Sequence, residues 1–200
     1  MKKTYVFLIP GMLAPSIRLR SLAQYLQADD GTLAVRVVPL RCSLSSFENL
    51  VARAADYIKQ HVTNISSVET VLLFGYSHGG RVAAALAPLV KKQYPNARIV
   101  VVTAGTPMAE RPRNLPLYKV LFFHLSRAYR QWPLVKQPQP PTVERMIGYY
   151  SDDDRTVAPV YATSGYQGVL VKKRGFSHTD FIDAQKFGPD LHEFLSSLAE

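Results

Sequence analysis

One serine in this sequence lies in a setting that could make it a nucleophile. Ser77 is the centre of the pentapeptide Gly75-Tyr76-Ser77-His78-Gly79, a Gly-x-Ser-x-Gly motif. The motif follows an apolar run and precedes an alanine-rich segment, so it predicts a sharp turn between a buried strand and a helix. Such a turn strains the serine backbone, and the two glycines let the strand and the helix approach closely. The hydroxyl would lie at a helix N-terminus, where negative charge is favoured.

A serine nucleophile needs a general base, and the chain has five histidines that could supply it. His78 adjoins the serine, but its side chain would point away from the hydroxyl, so we expect its backbone N–H to act as an oxyanion donor instead. His178 follows the apolar run 169–171 and is expected in a loop at the sheet edge that carries Ser77. It is our predicted base, with His124 as an alternative. The other two histidines are expected to be solvated: His61 and His192.

The acid that orients the base is expected after a strand and before His178 in the chain. The segment Asp152-Asp153-Asp154 follows the predicted strand 146–150 and meets both conditions. Three carboxylates therefore compete for the role. The two that are not used would form an ordinary solvated acidic turn.

The elements that must position these residues alternate along the chain. Strands are predicted at 4–9, 34–39, 70–74, 98–103, 145–150 and 167–172, and helices at 18–27, 46–61, 79–94 and 179–199. Gly188-Pro189 is expected to break the last helix, with Asp190 capping its final piece. Near-continuous apolar runs are typical of strands buried on both faces of a parallel sheet. The pattern predicts a single α/β domain over residues 1–200, with a mostly parallel sheet and helices on both faces.

The segment 110–141 departs from this alternation. It contains six prolines and is too long for a plain connection. We interpret it as a cap over the active site. Leu117 and Leu121 belong to an apolar stripe at helical spacing, Phe122 adds aromatic surface beyond that stripe, and these three residues are expected to line an acyl pocket. Seven basic and two acidic residues lie between 110 and 145, which also suits contact with an acidic membrane surface. The alternative is a helix packed on the sheet with a solvated basic face.

Composition and charge exclude several protein classes. Hydrophobic residues make up 47% and charged residues 20%, which excludes a disordered chain and a coiled coil. A single cysteine excludes a disulfide scaffold and a cysteine-based zinc site. The net charge of +9 favours anionic partners. The charge is dispersed and no recognition motif accompanies it, so we expect no nucleic acid among them.

By these features the chain resembles the α/β-hydrolase superfamily, and most closely its small bacterial lipases and esterases. The motif 75–79 resembles the nucleophile elbow of that family, and Leu8-Ile9-Pro10-Gly11-Met12 resembles the turn after its first conserved strand. The segment 102–107 resembles the family's Gly-Thr-Pro loop. Gly175-x-x-His178 resembles the ending that carries the family's histidine.

The resemblance implies a triad and a reaction. In the minimal lipases the acid is followed by two residues and an apolar one, a pattern that Asp154 fits with Val157. The implied catalytic residues are Ser77, His178 and Asp154, and the implied oxyanion donors are the backbone N–H groups of Met12 and His78. The family's usual histidine before the oxyanion-hole glycine is Pro10 here.

The implied activity is cleavage of a small-molecule carboxylic ester, with no metal or organic cofactor. The alternatives are a thioesterase or acyltransferase with the same triad, or a non-catalytic binding protein.

The N-terminus has some features of a signal peptide, with Lys2-Lys3 followed by a short apolar run. Cleavage after Ala14 would remove the first strand and half of the implied oxyanion hole. We therefore expect an intact cytoplasmic protein. No window approaches the ~18 consecutive apolar residues of a membrane-spanning helix.

Overall fold

A computed structural model describes residues 3–11, 16–27, 32–40, 45–62, 67–109 and 142–198. Within these ranges the strands are β1 (Lys3–Ile9), β2 (Leu33–Val37), β3 (Val68–Tyr76), β4 (Arg98–Ala104), β5 (Arg145–Tyr150) and β6 (Val169–Lys172). The helices are α1 (Ser16–Gln27), α2 (Phe47–His61), α3 (His78–Gln93), α4 (Pro159–Thr163) and α5 (Gly188–Ser196), and a 3₁₀ segment spans His178–Ile182. The predicted cap at 110–141 lies outside the described residues.

The described strands form one sheet in the order β2-β1-β3-β4-β5-β6, and every neighbouring pair is parallel. The register pairs Ile9 with Gly75, Gly75 with Thr103, and Ala104 with Tyr149. The carboxyl ends of β1, β3, β4 and β5 therefore meet at one edge. This confirms the predicted α/β class with a mostly parallel sheet.

Helices cover both faces of the sheet, as predicted. Alternate residues of β1 point to opposite sides: Phe7 and Ile9 belong to the core layer under α2 and α3, whereas Val6 and Leu8 belong to the layer under α1 and α5. Residues 71–74 of β3 are fully buried. The uninterrupted apolar run at these four positions is explained by burial on both faces.

Helix α2 shows how the local sequence determines an element. Ser46 caps its N-terminus, where the Ser46 hydroxyl oxygen accepts a hydrogen bond from the Asn49 N–H at 3.3 Å. Phe47, Leu50, Ala54 and Ile58 recur at helical spacing, and all are buried. The predicted boundaries of 46–61 match this helix to within one residue.

The C-terminal region differs from its predicted structure. The predicted helix over 179–199 is instead a 3₁₀ segment followed by α5. Gly188-Pro189 begins α5 rather than breaking a helix, since proline is well suited to the first turn, where its missing N–H is not needed. Phe187 is the N-cap residue and Asp190 lies inside the first turn, so the predicted cap at Asp190 was wrong. The short helix α4 was not predicted.

No helix in the part of the chain that the structure describes combines the length and the apolar character needed to cross a bilayer.

Candidate active site

Ser77 occupies a strained turn between β3 and α3. Its φ of 53° and ψ of −126° are unfavourable for a residue with a side chain, and among the described residues other than glycine it alone has a positive φ. Such a conformation costs roughly 1–3 kcal/mol, so its surroundings must hold it. The Ser77 N–H donates to the Ala104 carbonyl oxygen at 2.8 Å, and the Gly80 N–H donates to the Ser77 carbonyl oxygen at 3.0 Å.

Three glycines allow the turn to form. A Cβ on Gly75 would collide with the backbone of Gly79 and Gly80, and one on Gly79 would collide with the carbonyl oxygen of Ile9. A Cβ on Gly80 would collide with the side chain of Thr106. The sequence motif pointed to the first two of these glycines and missed Gly80. The sequence signal that could have identified Gly80 was the Gly79-Gly80 pair at the start of an alanine-rich segment.

His178 and Asp154 form a hydrogen bond, with 2.7 Å between His178 Nδ1 and Asp154 Oδ2. The Asp154 side chain is only 2% exposed and that of His178 is 12% exposed. The second oxygen, Asp154 Oδ1, accepts the N–H groups of Thr156 at 2.8 Å and Val157 at 2.9 Å. The carboxylate is therefore held at both oxygens. When Nδ1 carries the proton that it donates to Asp154, Nε2 is left as an acceptor.

The three consecutive aspartates contact three different residues between the end of β6 and His178. Asp152 forms an ion pair with Lys172, and Asp153 Oδ2 accepts the Gly175 N–H at 2.8 Å. Asp152 and Asp153 are exposed, whereas Asp154 is buried. The structure therefore pairs Asp154, and neither of its two neighbours, with His178.

The His178–Asp154 pair meets the turn of Ser77 through two residues that the sequence reasoning did not single out. The ring of Tyr76, the residue before Ser77, lies 4.9 Å from the His178 ring between centroids. Gly105, with φ +55°, lies behind the pair: a Cβ there would be 3.0 Å from His178 Nδ1 and 3.2 Å from Asp154 Oδ2. The segment after β4 was noted for its Gly-Thr-Pro sequence, which was the available signal for Gly105.

Tyr76 keeps its phenol proton in this site. Burial raises its pKa well above the ordinary value, and the negative charge of Asp154 raises it further, while Arg18 acts in the opposite direction. The ring beside His178 is therefore a neutral phenol at any pH near neutrality.

The predicted oxyanion donors are only partly described. His78 is the first residue of α3 and is 6% exposed. Met12 lies outside the described residues, but the preceding Gly11 passes close to the nucleophile, because a Cβ on Gly11 would be 2.8 Å from Ser77 Cβ. The predicted pocket residues and the alternative base also lie outside the described residues: Leu117, Leu121, Phe122 and His124.

The remaining features of the described residues place no competing site near Ser77. His61 belongs to α2, where its Nδ1 lies 2.8 Å from the Tyr57 carbonyl oxygen and its ring stacks on that of Tyr57. The described ranges contain no group of three or more His, Cys, Asp or Glu residues that could hold a metal ion.

An open cavity of about 420 Å³ lies at the opposite edge of the sheet, where β4 and β5 begin, and it is lined by Arg98 and Glu144 among others. Those two side chains are paired with each other.

Solved structures share this architecture over nearly the whole chain. One is MGS-MChE2, an alpha/beta hydrolase enzyme from the metagenome of lagoon sediments at Mar Chica, Morocco; it is 16% identical, with a TM-score of 0.65 and coverage of 100% of this chain and 93% of that one. The protein has the α/β-hydrolase fold. The predicted resemblance to this superfamily is thereby confirmed at the level of the fold.

Two further structural neighbours differ in the activity ascribed to them. A lipase-esterase related protein from Clostridium acetobutylicum is 11% identical, with a TM-score of 0.65 and coverage of 98% of this chain and 94% of that one. The RedJ thioesterase from the prodiginine biosynthetic pathway in Streptomyces coelicolor is 17% identical, with a TM-score of 0.62 and coverage of 98% and 85%. No protein-family model and no curated protein matches the chain by sequence.

Proposed function

We propose that the protein is a serine hydrolase that cleaves carboxylic esters through an acyl-enzyme on Ser77. The observation that carries the proposal is the 2.7 Å hydrogen bond between His178 Nδ1 and Asp154 Oδ2. It lies at the sheet edge where Ser77 occupies its strained turn, and the Tyr76 ring bridges the two features. Acyl transfer requires a serine that an oriented imidazole can deprotonate.

The first half of the reaction forms the acyl-enzyme. His178 Nε2 removes the proton from Ser77 Oγ as that oxygen attacks the carbonyl carbon. The carbonyl oxygen becomes an oxyanion bound by the backbone N–H groups of Met12 and His78, and losing one such donor typically costs about 2.7–4 kcal/mol. Asp154 keeps the Nδ1 proton in place and stabilises the imidazolium. The bond to the leaving alcohol then breaks, and His178 donates its proton to that alcohol.

The second half releases the acid. His178 takes a proton from water as the water oxygen attacks the acyl carbon. The bond to Ser77 Oγ breaks, and His178 returns the proton to that oxygen. Each half begins and ends with neutral imidazole, so the residues named complete the cycle without a metal or organic cofactor.

A fluorophosphonate probe tests the proposal, because it labels an activated serine whatever the substrate. We expect a single labelled site, placed on Ser77 by peptide mass mapping. The Ser77→Ala variant, which loses only one oxygen, should not be labelled. Labelling that persists in Ser77→Ala, or no labelling of the folded wild type, would contradict the proposal. The second result would favour a non-catalytic binding protein on this fold.

A second candidate function is thioester cleavage, favoured by the likeness to the RedJ thioesterase. The same residues would act in the same order, with a thiol as leaving group. A panel of nitrophenyl esters and acyl thioesters of graded chain length separates the two candidates. A kcat/KM at least tenfold higher on the matched thioesters would favour the second.

A further inference from the structure

The imidazole of His178 is held at more than one side. Asp154 bonds to its Nδ1 edge at 2.7 Å. The ring of Tyr76 lies beside it, with 4.9 Å between centroids and 39° between the planes. Tyr76 is 4% exposed and belongs to the core layer under α1 and α5. Its ring is therefore fixed by packing.

Tyr76 is also the last residue of β3, immediately before Ser77. Its main chain thus leads directly into the strained turn, while its side chain contacts the base. A Cβ on Gly11 would lie 3.2 Å from Tyr76 Cδ1, so Gly11, which follows β1, lies against the same ring. One residue therefore connects three parts of the site.

An aromatic face attracts a nearby cation, and the effect is substantial within about 6 Å of the ring centroid. In the proposed reaction His178 becomes an imidazolium at each transition state. Among the described residues, Asp154 from the loop after β5 bonds to His178, and the charges of Asp154 and of Arg18 from α1 both act on Tyr76. The loop after β4 contributes the backbone of Gly105. Asp154 neutralises one edge of the cation, and the Tyr76 ring is the aromatic surface next to it.

We propose that Tyr76 is a positioning residue, whose ring sets the tilt of the His178 imidazole and stabilises the imidazolium that forms when Ser77 is activated. The inference rests on the proposed serine hydrolase chemistry. It assigns the effect to the aromatic ring and gives the phenol hydroxyl no part in it.

The test measures the rate of fluorophosphonate labelling against pH for the full-length wild type, Tyr76→Phe and Tyr76→Leu. Loss of a cation–π contact destabilises the imidazolium, so Tyr76→Leu should label about twofold to fivefold more slowly on the plateau. Its half-maximal rate should occur at a pH lower by about 0.4–0.7. Tyr76→Phe keeps the ring and should match the wild type in both respects.

Tyr94→Leu is the matched control, because Tyr94 is a buried tyrosine of the other core layer that ends α3. It should lose comparable thermal stability with no change in the pH profile. If Tyr76→Leu does not fold, Tyr76→Met provides a second variant without a ring.

If Tyr76→Leu labelled more slowly on the plateau but kept the wild-type pH midpoint, the Tyr76 ring would act through packing alone. That result would overturn the proposal. So would a midpoint that moves upward, or a Tyr76→Phe variant that behaves like Tyr76→Leu. Failure of the proposed function is a separate result, because the wild type itself would then not be labelled at Ser77.

Discussion

Asp154 uses both of its carboxylate oxygens, one on His178 and one on the backbone of residues 156 and 157. An amide in its place would favour the wrong imidazole tautomer, so we expect Asp154→Asn to lower kcat by roughly 10³–10⁴-fold. Asp152→Asn and Asp153→Asn should lose little, because their contacts are to Lys172 and Gly175. Steady-state kinetics on a nitrophenyl ester would decide, and an inactive Asp153→Asn beside an active Asp154→Asn would contradict the assignment.

Gly105 is a second residue of the site whose substitution is expected to lower kcat. In Gly105→Ala the new Cβ would lie 3.0 Å from His178 Nδ1, at a φ of +55°, so we expect at least a tenfold loss of kcat. Gly165→Ala is the matched control, since its φ is +69° with nothing within 4 Å of the new Cβ. Both should lose about 1–2 kcal/mol in urea unfolding because of the left-handed backbone. Equal activity in the two variants would show that the contact at Gly105 does not matter.

The site features that were found from the sequence depend on neighbouring residues, whereas those that were missed depend on contacts between residues far apart in the chain. The turn at Ser77 was predictable because a local pattern of glycine, serine and apolar residues specifies it. The contacts of Tyr76 and Gly105 with His178 join residues that lie 102 and 73 positions apart in the chain. No local pattern carries that information, since it depends on how the strands are arranged.

At the scale of elements, the three aspartates of the loop after β5 connect it to the end of β6, to the loop after β6 and to His178. The bond from the Gly175 N–H to Asp153 Oδ2 holds a turn with φ +71° three residues before His178. We expect Asp153→Ala to lower kcat about fivefold, the equivalent of roughly 1 kcal/mol for one hydrogen bond. Asp153→Asn retains an acceptor oxygen and should recover most of the rate.

Asp152→Ala is the control for this connection. It removes the ion pair between Asp152 and Lys172, whose side chains are 54% and 44% exposed. Ion pairs this exposed contribute little to stability. Its kinetics on the same ester should match the wild type. A loss equal to that of Asp153→Ala would mean that the charge of the acidic turn, rather than the bond to Gly175, governs the rate.

The elements themselves were predictable where burial gives a periodic signal. β1, α2, β3, α3, β4 and β5 lie close to their predicted ranges, because each presents a long apolar run or stripe. The region after His178 was predicted as mostly helical with a break at Gly188-Pro189, whereas the 3₁₀ segment already ends at Ile182. Phe181 and Phe187 instead pack against each other in the core, with 5.9 Å between ring centroids, across the break between the 3₁₀ segment and α5.

At the scale of the whole molecule, the alternation of strands and helices predicted the α/β class but not the order of the strands. The order β2-β1-β3-β4-β5-β6 places β3 and β4 in the middle, each between two other strands. Their long apolar runs agree with that position. β6 lies at the edge, where Val169 is 59% and Leu170 is 37% exposed. An apolar run alone therefore does not separate a central strand from an edge strand.

The net charge of +9 also belongs to the whole molecule, and the segment 110–141 combines basic with apolar and aromatic residues. We expect this segment to form a cap whose Leu117, Leu121 and Phe122 line an acyl pocket. Turnover of nitrophenyl esters should then rise from acetate towards longer acyl chains, because a longer chain buries more apolar surface.

The same composition predicts binding to vesicles that contain anionic lipid, through apolar insertion and attraction to the headgroups. Sedimentation with such vesicles should be strong at low salt and weaken as salt is raised, because screening reduces the attraction. Vesicles of neutral lipid at the same salt are the control, and they should retain much less protein. Best turnover on acetate esters together with no anionic vesicle binding at low salt would contradict both roles and favour a helix packed on the sheet with a solvated basic face.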